Sequence, residues 1–259
     1  MQKKIYLIIA VVFISCATYL GKSDKLINYV DPFIGSGGHG HVFVGANVPF
    51  GGVQVGPTNF NKGWDWSSSY HHTDSIVKGF CHINVSGTGM SDLGELTIMP
   101  ATGKLMTGAG TQNNHMAGYS SLYYKDKEHA SVGYYKVHLE RYDIDVELTA
   151  TERVGLHKYR FPKSDQSRVI IDLGEGSADR PTETYLKKIN DTLFQGHRFS
   201  SGWARDQREY FSLIISKPVD DFILYDRHKK FKGEERKGDY VKGFLEFSTK
   251  SNENIMVKM

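Results

Sequence analysis

Cysteine is nearly absent. The 259-residue chain has two, Cys16 and Cys81, and an export signal ending at the first would leave Cys81 alone, with no internal disulfide framework. Charge of one sign is lacking as well: 32 basic side chains face 29 acidic ones. The densest basic stretch, Arg227 to Lys237, is cut by Glu234 and Glu235 and follows a strand-like Phe222-Ile223-Leu224-Tyr225. It reads as a solvated hairpin loop, and nucleic acid is excluded as a partner. The apolar run Ile5 to Ile14 is too short to span a bilayer comfortably. No helical period is sustained, and there is no internal repeat or low-complexity linker.

The amino terminus reads as a targeting segment. Lys3 and Lys4 precede the apolar run, which closes in Phe13-Ile14-Ser15-Cys16-Ala17. A basic start, a short apolar stretch and a small residue before cysteine match a bacterial lipoprotein signal. Residues 1–20 are therefore expected to be signal peptide and tether, with Cys16 lipidated. Such a protein is a periplasmic or outer-membrane lipoprotein of the bacterial cell envelope, touching the membrane only through its lipid anchor. Plain secretion and a merely buried apolar helix are the alternatives. Cys81, between Phe80 and His82, reads as a buried thiol, since nothing pairs it with a base.

Residues 21–259 are long enough for a sizeable core, and the pattern is that of strands. Tyr135, Val137 and Leu139 alternate with Lys136, His138 and Glu140; Phe211, Leu213 and Ile215 alternate before Pro218; Leu245 and Phe247 do the same. Leu96 and Ile98 alternate before a break at Pro100, Val146 and Leu148 begin another strand, and Arg168 to Leu173 is a short β-branched run closed by Gly174. Short half-buried strands between turn signals predict an all-β fold, a single large β-sandwich. Thr182 to Ile189 is the one candidate for a short helix, or equally a surface crossover. The last six residues, NIMVKM, space Ile255, Val257 and Met259 along one strand face, which reads as a fragment of a longer protein.

A band of glycine, histidine and tryptophan fills the first third: DPFIGSGGHGHVFVGANVPFGGVQVGPT from Asp31 and GWDWSSSYHHTDSIVKGFCHINVSGTGMSDLGELTIMP from Gly63. Glycine at this density lets the backbone turn sharply or approach a ligand. Trp64 and Trp66 flank Asp65, which combines flat apolar faces with a carboxylate. An indole can cover the C–H side of a sugar while a carboxylate accepts its hydroxyl hydrogens; tryptophans that fill a sandwich core are the competing reading. His39, His41, His71 and His72 could in principle bind zinc, although loop packing and substrate hydrogen bonding suit them better, and no metal is expected in this chain. Asp92 and Glu95 invite a glycosidase carboxylate pair, but residues three apart in a strand point to opposite faces, so no catalytic residue is assigned. Arg205, Asp206 and Gln207 offer groups to fix the loop around Trp203. The histidine and tryptophan segments are expected to converge at one end of the sandwich.

These stretches carry a resemblance. YVDPFIGSGGHGHVFVGANVPFGGVQVGP from Tyr29, GWDW from Gly63, YHHTDSIVKGF from Tyr70, SGTGMSDLGELTIMP from Ser86 and GHRFSSGWARDQREYFSLIISKP from Gly196 resemble the amino-terminal part of glycoside hydrolase family 92, calcium-dependent exo-acting α-mannosidases of bacteria. The resemblance implies a sandwich of the galactose-mutarotase-like type, followed in the family by a helical (α/α)6 barrel. It implies inverting removal of terminal mannose from N-glycans, with the general acid, the base and most calcium ligands on the barrel. The chain alone would then be inactive and would contribute loops to the pocket rim. The partners implied are a mannose-containing glycan and the catalytic barrel; the alternative is a non-catalytic carbohydrate-binding or interaction module. Substrate contacts are expected from Trp64, Asp65, Trp66, His39, His41, His72, His82 and Asn84. The chain departs from the family at His82-Ile83-Asn84, where His-Thr-His is usual; Asn84 cannot take a proton as imidazole does.

Overall fold

The structure is a computed structural model that describes residues 25–177 and 179–259. The proposed signal segment and Cys16 lie outside the described residues. The described residues divide into two units between Asp31 and Pro32. In the first, Leu26–Tyr29 forms one 3-10 turn. Among the described residues no helix is long and apolar enough to cross a membrane.

The second unit is built from strands, joined by short 3-10 turns. A seven-stranded sheet runs in the order Gly56–Thr58, Gly79–Cys81, Thr97–Thr102, Ser164–Asp172, Val241–Thr249, Asp221–Asp226, Lys229–Phe231. A nine-stranded sheet runs Glu235–Gly238, Arg180–Lys188, Leu193–Ser201, Gln207–Ile215, Glu253–Lys258, Gly155–Phe161, Ile144–Ala150, Tyr134–Leu139, Glu128–Ser131. Described neighbours in both sheets pair antiparallel. The fold is thus an all-β sandwich.

Alternation explains the nine-stranded sheet. Val137, Val146, Tyr159 and Ile255 lie in register across four strands and are all buried. Side chains two apart share a face, so each strand sends its apolar set to the same side. Burying each such side chain contributes roughly 1.5–3 kcal/mol. That row faces the seven-stranded sheet, where Phe161 meets Phe247 edge-on with centroids 5.5 Å apart and Phe194 meets Phe222 at 5.2 Å. Leu213 and Ile215 are buried and Phe211 half-buried, with exposed neighbours between them. Ile255 and Val257 are buried on one face of the inner strand Glu253–Lys258, and Met259 is buried just past its end.

The central strands of the seven-stranded sheet are buried on both faces: Arg168 to Asp172 are all inaccessible. The outer side is covered by the loop that brings the Tyr119 hydroxyl to 2.7 Å from Asp172 Oδ2. Three sequence expectations fail here. Pro100 does not end its strand but lies inside Thr97–Thr102, opposite Val169. The neighbouring Gly79–Cys81 pairs with that strand only at Ile98, so at Pro100 there is one neighbour only and the missing N–H interrupts no second ladder. Thr182 to Ile189 is neither helix nor surface crossover; Arg180–Lys188 is a strand paired on both sides. Its buried Thr184 and Leu186 are two apart, a period of two that pairing enforces over the weak helical preference of Leu-Lys-Lys. Arg227 to Lys237 is more than a loop. It supplies Lys229–Phe231 to the edge of one sheet and Glu235–Gly238 to the edge of the other, with the Arg236 guanidinium 3.7 Å from the Phe231 ring.

Cys81 is buried, its Sγ 3.2 Å from Asn84 Oδ1, and burial pushes the thiol up to about 11. It is an inert core residue.

Candidate functional site

Gly63, with φ of 119°, turns the chain into the single 3-10 turn Trp64–Trp66. The turn presents three neighbouring side chains to different partners. Asp65 Oδ1 lies 2.6 Å from His39 Nδ1 and 3.6 Å from His41 Nε2. The bond from His39 is the main reason the Asp65 carboxyl is held below the usual carboxylate range. It stays ionised and acceptor-only at neutral pH. His41, at φ of 55°, meets the Trp64 ring edge-on at 4.2 Å, and His39 tilts over the same ring at 5.3 Å.

Trp64 is pinned by one polar bond, from its Nε1 to the Gly89 carbonyl at 2.6 Å. A Cβ at Gly89 would sit 2.7 Å from that nitrogen, so glycine is required where loop and indole meet. Trp64 remains 57 % exposed, a fixed aromatic face open to solvent. Trp66 is committed elsewhere. It stacks on His71 at 4.3 Å, donates to Asp74 Oδ2 at 3.0 Å and lies 5.1 Å beneath the Lys62 ammonium. His71 in turn contacts Thr73 Oγ1 and the Gly38 carbonyl. The backbone N–H of His72 donates to Ser36 and its ring meets Phe33 at 5.6 Å.

The fold therefore gathers His39, His41, Trp64, Asp65, Trp66, His71 and His72 from two segments about 25 residues apart in the chain. His82 and Asn84 turn to other partners. Asn84 Nδ2 donates to the Gln54 carbonyl. His82 Nδ1 donates to the Leu96 carbonyl at 2.8 Å, its Nε2 lies 2.9 Å from His157 Nε2, and His157 Nδ1 lies 2.7 Å from the Tyr159 hydroxyl. A carbonyl only accepts, so neutral His82 carries its proton on Nδ1 and accepts at Nε2. His157 then donates from Nε2 and accepts from Tyr159. Burial lowers His82 to about 4 and holds His157 well below its ordinary value.

Asp92 and Glu95 do not diverge as strand alternation predicts. Leu93 and Gly94, at φ of 58° and 73°, break the alternation and turn both carboxylates into one buried network. Asp92 Oδ2 accepts from Gln207 Nε2 at 2.8 Å and from the Ala204 N–H at 3.2 Å. Ser200 Oγ lies 3.0 Å from Glu95 Oε1 and 2.7 Å from Gln207 Oε1. The Arg198 guanidinium, 0 % exposed, reaches Glu95 Oε2 at 2.6 Å and Asp179 Oδ2 at 2.5 Å. Burial drives the Glu95 carboxyl far up, and hydrogen bonds to Asp179 and Glu209 act in the same direction. For Asp179 burial also raises, but the bonds from Glu95 and Arg198 outweigh it and hold that carboxylate ionised. This is a structural polar core; neither carboxyl reaches solvent to act on a sugar. Gln207 belongs to it, whereas Asp206 pairs with Arg208 at the surface.

No group of three or more His, Cys, Asp or Glu side chains with metal-holding geometry occurs among the described residues. The four histidines considered for zinc are drawn instead to Asp65, Gly38, Thr73 and Phe33.

One feature escaped sequence reasoning. Beyond Gly89 the loop passes to Met90 and Asp92, which with Leu93, Trp203, Ala204 and Gln207 line a cleft of about 460 Å³. The signal was present in Gly202-Trp203-Ala204, a tryptophan in a short turn, but nothing in the sequence joins it to Met90.

Residues 29–259 match the glycosyl hydrolase family 92 N-terminal domain. A family GH92 α-mannosidase of Bacteroides thetaiotaomicron, solved with mannoimidazole, is 32 % identical and superposes with a TM-score of 0.88 over 91 % of this chain and 32 % of its own. A family GH92 inverting mannosidase of Bacteroides thetaiotaomicron VPI-5482 shares the fold at 22 % identity, with a TM-score of 0.75 over 92 % of this chain and 31 % of its own. A protein of Arthroderma benhamiae described as an uncharacterized secreted glycosidase is 26 % identical over 165 residues, 57 % of this chain and 20 % of that protein. The chain thus spans about a third of the solved relatives' length.

Proposed function

The chain belongs to glycoside hydrolase family 92, and from that premise we propose that it is the non-catalytic, glycan-contacting sandwich of an inverting exo-α-mannosidase that trims terminal mannose from N-glycans. The observation that supports this reading is Trp64: an exposed indole locked by Gly89, with an ionised Asp65 beside it. A mannose ring has an apolar C–H face and a rim of hydroxyls. Trp64 takes the face; Asp65 accepts from hydroxyls, and His39, already bonded to Asp65, orients that carboxylate. Trp66 and His71 hold the turn in place. His72 is exposed at the edge of the same cluster and within reach of a longer glycan, whereas His82 and Asn84 act through the scaffold.

Inverting hydrolysis needs an acid and a base on opposite sides of the bond, with room for water between. Asp92 and Glu95 are both buried, and the acid and the base are assigned to a helical barrel partner. Calcium takes six to eight oxygen ligands, and its site is assigned to the barrel as well. Export as a lipoprotein through Cys16, to the periplasm or outer membrane, remains part of the proposal.

Incubating the purified chain with an α-1,2-linked mannobiose and calcium is expected to release no mannose above a buffer control. Free mannose well above that control would place the catalytic pair on this chain and overturn the assignment.

A further inference from the structure

The nine-stranded sheet has a gap inside it. On one side Gln207–Ile215 pairs with Leu193–Ser201 from Gln207 to Ile214. On the other side Glu253–Lys258 meets it only at Ile214 and Ile215, so Gln207 to Leu213 have a ladder partner on one side alone. The Ile215 N–H donates to the Thr192 carbonyl at 3.0 Å, and the Ser216 N–H donates to the Met256 carbonyl at 2.9 Å. The side that backbone groups face alternates along an antiparallel strand, and the register toward Leu193–Ser201 is unbroken. The N–H and C=O of Arg208, Tyr210 and Ser212 therefore point away from that neighbour, into the gap.

The gap opens as a cleft of about 570 Å³ whose walls include Val53, Ile83, Leu96 and Phe211, with Met259 at one end. Met259 and Gly155 exchange both backbone hydrogen bonds, so the cleft lies in line with Glu253–Lys258. Natural sheets blunt an unpaired edge with charge, as the outer edge strand Glu235–Gly238 does with Glu235, Arg236 and Lys237. The edge at the gap has apolar walls instead, and its charges stand at the rim. Arg153 and Lys258 line the cleft, are exposed, and have no ion-pair partner among the described residues. Arg208 is taken by Asp206 at 3.0 Å. The carboxyl in the lining, Glu209, is pushed above its ordinary value by burial.

An extended polypeptide answers all three features. It supplies the missing backbone partners, alternate apolar side chains for the walls and a carboxylate for the rim. A small apolar ligand would fill the walls and leave the Arg208, Tyr210 and Ser212 backbone to water. A second copy of the chain offers, at the edges of its two large sheets, strands of three or four residues, too short to follow Gln207 to Leu213. We propose that the gap is a strand-accepting slot for an extended polypeptide segment that carries a carboxylate. The segment runs in line with Glu253–Lys258, antiparallel to Gln207–Ile215, and sets its carboxylate at Arg153 and Lys258. The slot stands independently of the mannoside reading of Trp64.

Amide exchange followed by NMR reads the slot directly. In the chain alone the Arg208, Tyr210 and Ser212 amides are expected to exchange faster than those of Glu209, Phe211 and Leu213. The blocked peptide Thr-Val-Thr-Val-Asp-Val-Thr is expected to bind and to slow the faster set. The same peptide N-methylated at alternate amides cannot complete the ladder and is expected to bind about tenfold more weakly. A version with lysine in place of aspartate is expected to bind about threefold more weakly. Ser212→Pro removes one N–H from the slot and none from the ladder with Leu193–Ser201, and is expected to weaken the plain peptide about tenfold. Should that variant unfold, Arg153→Ala at an exposed position is expected to weaken the aspartate peptide and leave the lysine peptide unchanged. Slow exchange of the Arg208, Tyr210 and Ser212 amides in the chain alone would mean that the edge is already covered, and overturns the slot. Slowing that grows with chain concentration assigns the edge to a second copy and overturns it too. Absence of peptide binding, or equal binding of the plain and N-methylated peptides, reduces the cleft to an apolar groove and overturns the proposal. Equal binding of the aspartate and lysine peptides overturns the role of Arg153 and Lys258.

Discussion

Replacing Arg198 with methionine is expected to destabilise the fold by about 3–5 kcal/mol, because breaking one side of a buried ion pair strands the other. Arg198 is fully buried and holds Glu95 and Asp179 with one nitrogen. Its Nε also donates to the Leu173 carbonyl at 2.9 Å, so the side chain ties a strand of the nine-stranded sheet to the end of a strand in the other. Of the carboxyls, Asp179 carries the compensating charge. Its folded pKa is depressed, so its contribution is present above the unfolded value and lost as pH falls through the folded one. Without Arg198 that depression goes, and since pH 7 and pH 5 both lie above the unfolded carboxylate value of about 4, the Asp179 part of the gap between variant and parent is expected to be the same at both and to narrow only at lower pH. Glu95 has the opposite sign. Its raised pKa keeps it protonated at neutral pH, and its contribution fades as pH climbs toward the folded value. Glu95→Gln copies the protonated shape and is expected to cost under about 1 kcal/mol, since it leaves no new unpaired group. Urea unfolding of both variants at the two pH values checks all of this. A loss under about 1 kcal/mol for Arg198→Met would mean the pair is not the buried link described.

The second large effect is acid sensitivity from the His82–His157–Tyr159 chain. Both histidines are fully buried, and burial lowers His82 to about 4 and holds His157 well below its ordinary value. In the unfolded chain they titrate near the ordinary value of about 6.5. Between these values the unfolded state binds protons that the folded state refuses, so stability is complete above the unfolded pKa and falls as pH drops toward the folded one. For His82 alone the full loss is about 3 kcal/mol. The hydrogen-bond direction gives the reason: a second proton on His82 would set two N–H groups against each other across 2.9 Å. Glu95 opposes this trend, so the histidine part is read as a difference between parent and variant. His157→Gln keeps a donor for His82 and an acceptor for Tyr159. The parent is expected to lose more stability than this variant between pH 7 and pH 5; equal slopes would mean that the buried histidines do not titrate as described.

Much of the sandwich was legible in the sequence because a half-buried strand writes its geometry in a period of two. Tyr135, Val137 and Leu139 are all buried, as alternation requires, and Ile255 and Val257 follow the same rule. The central strands of the seven-stranded sheet are buried on both faces and erase that period, so Pro100 looked like an end. Arg180–Lys188 carries lysines and a leucine that a helix also accepts; only its partners decide the matter. At the site, the residue types were legible and their grouping was not. His39 and Asp65 meet across 26 positions, and Asp92 and Glu95 share one network because Leu93 and Gly94 adopt positive φ, which no spacing rule anticipates. His82 looked like part of the histidine band but its neighbours in space are Leu96 and His157.

Calorimetric titration of the chain with methyl α-mannoside, run in parallel on Trp64→Ala, tests the central reading most directly. Trp64 is exposed and held by a single polar bond, so its removal is expected to leave the fold intact. The parent is expected to bind weakly and saturably, and the variant to bind about tenfold more weakly. Absence of binding by the parent, or the same affinity in the variant, would contradict the assignment of the Trp64–Asp65 surface to a mannoside.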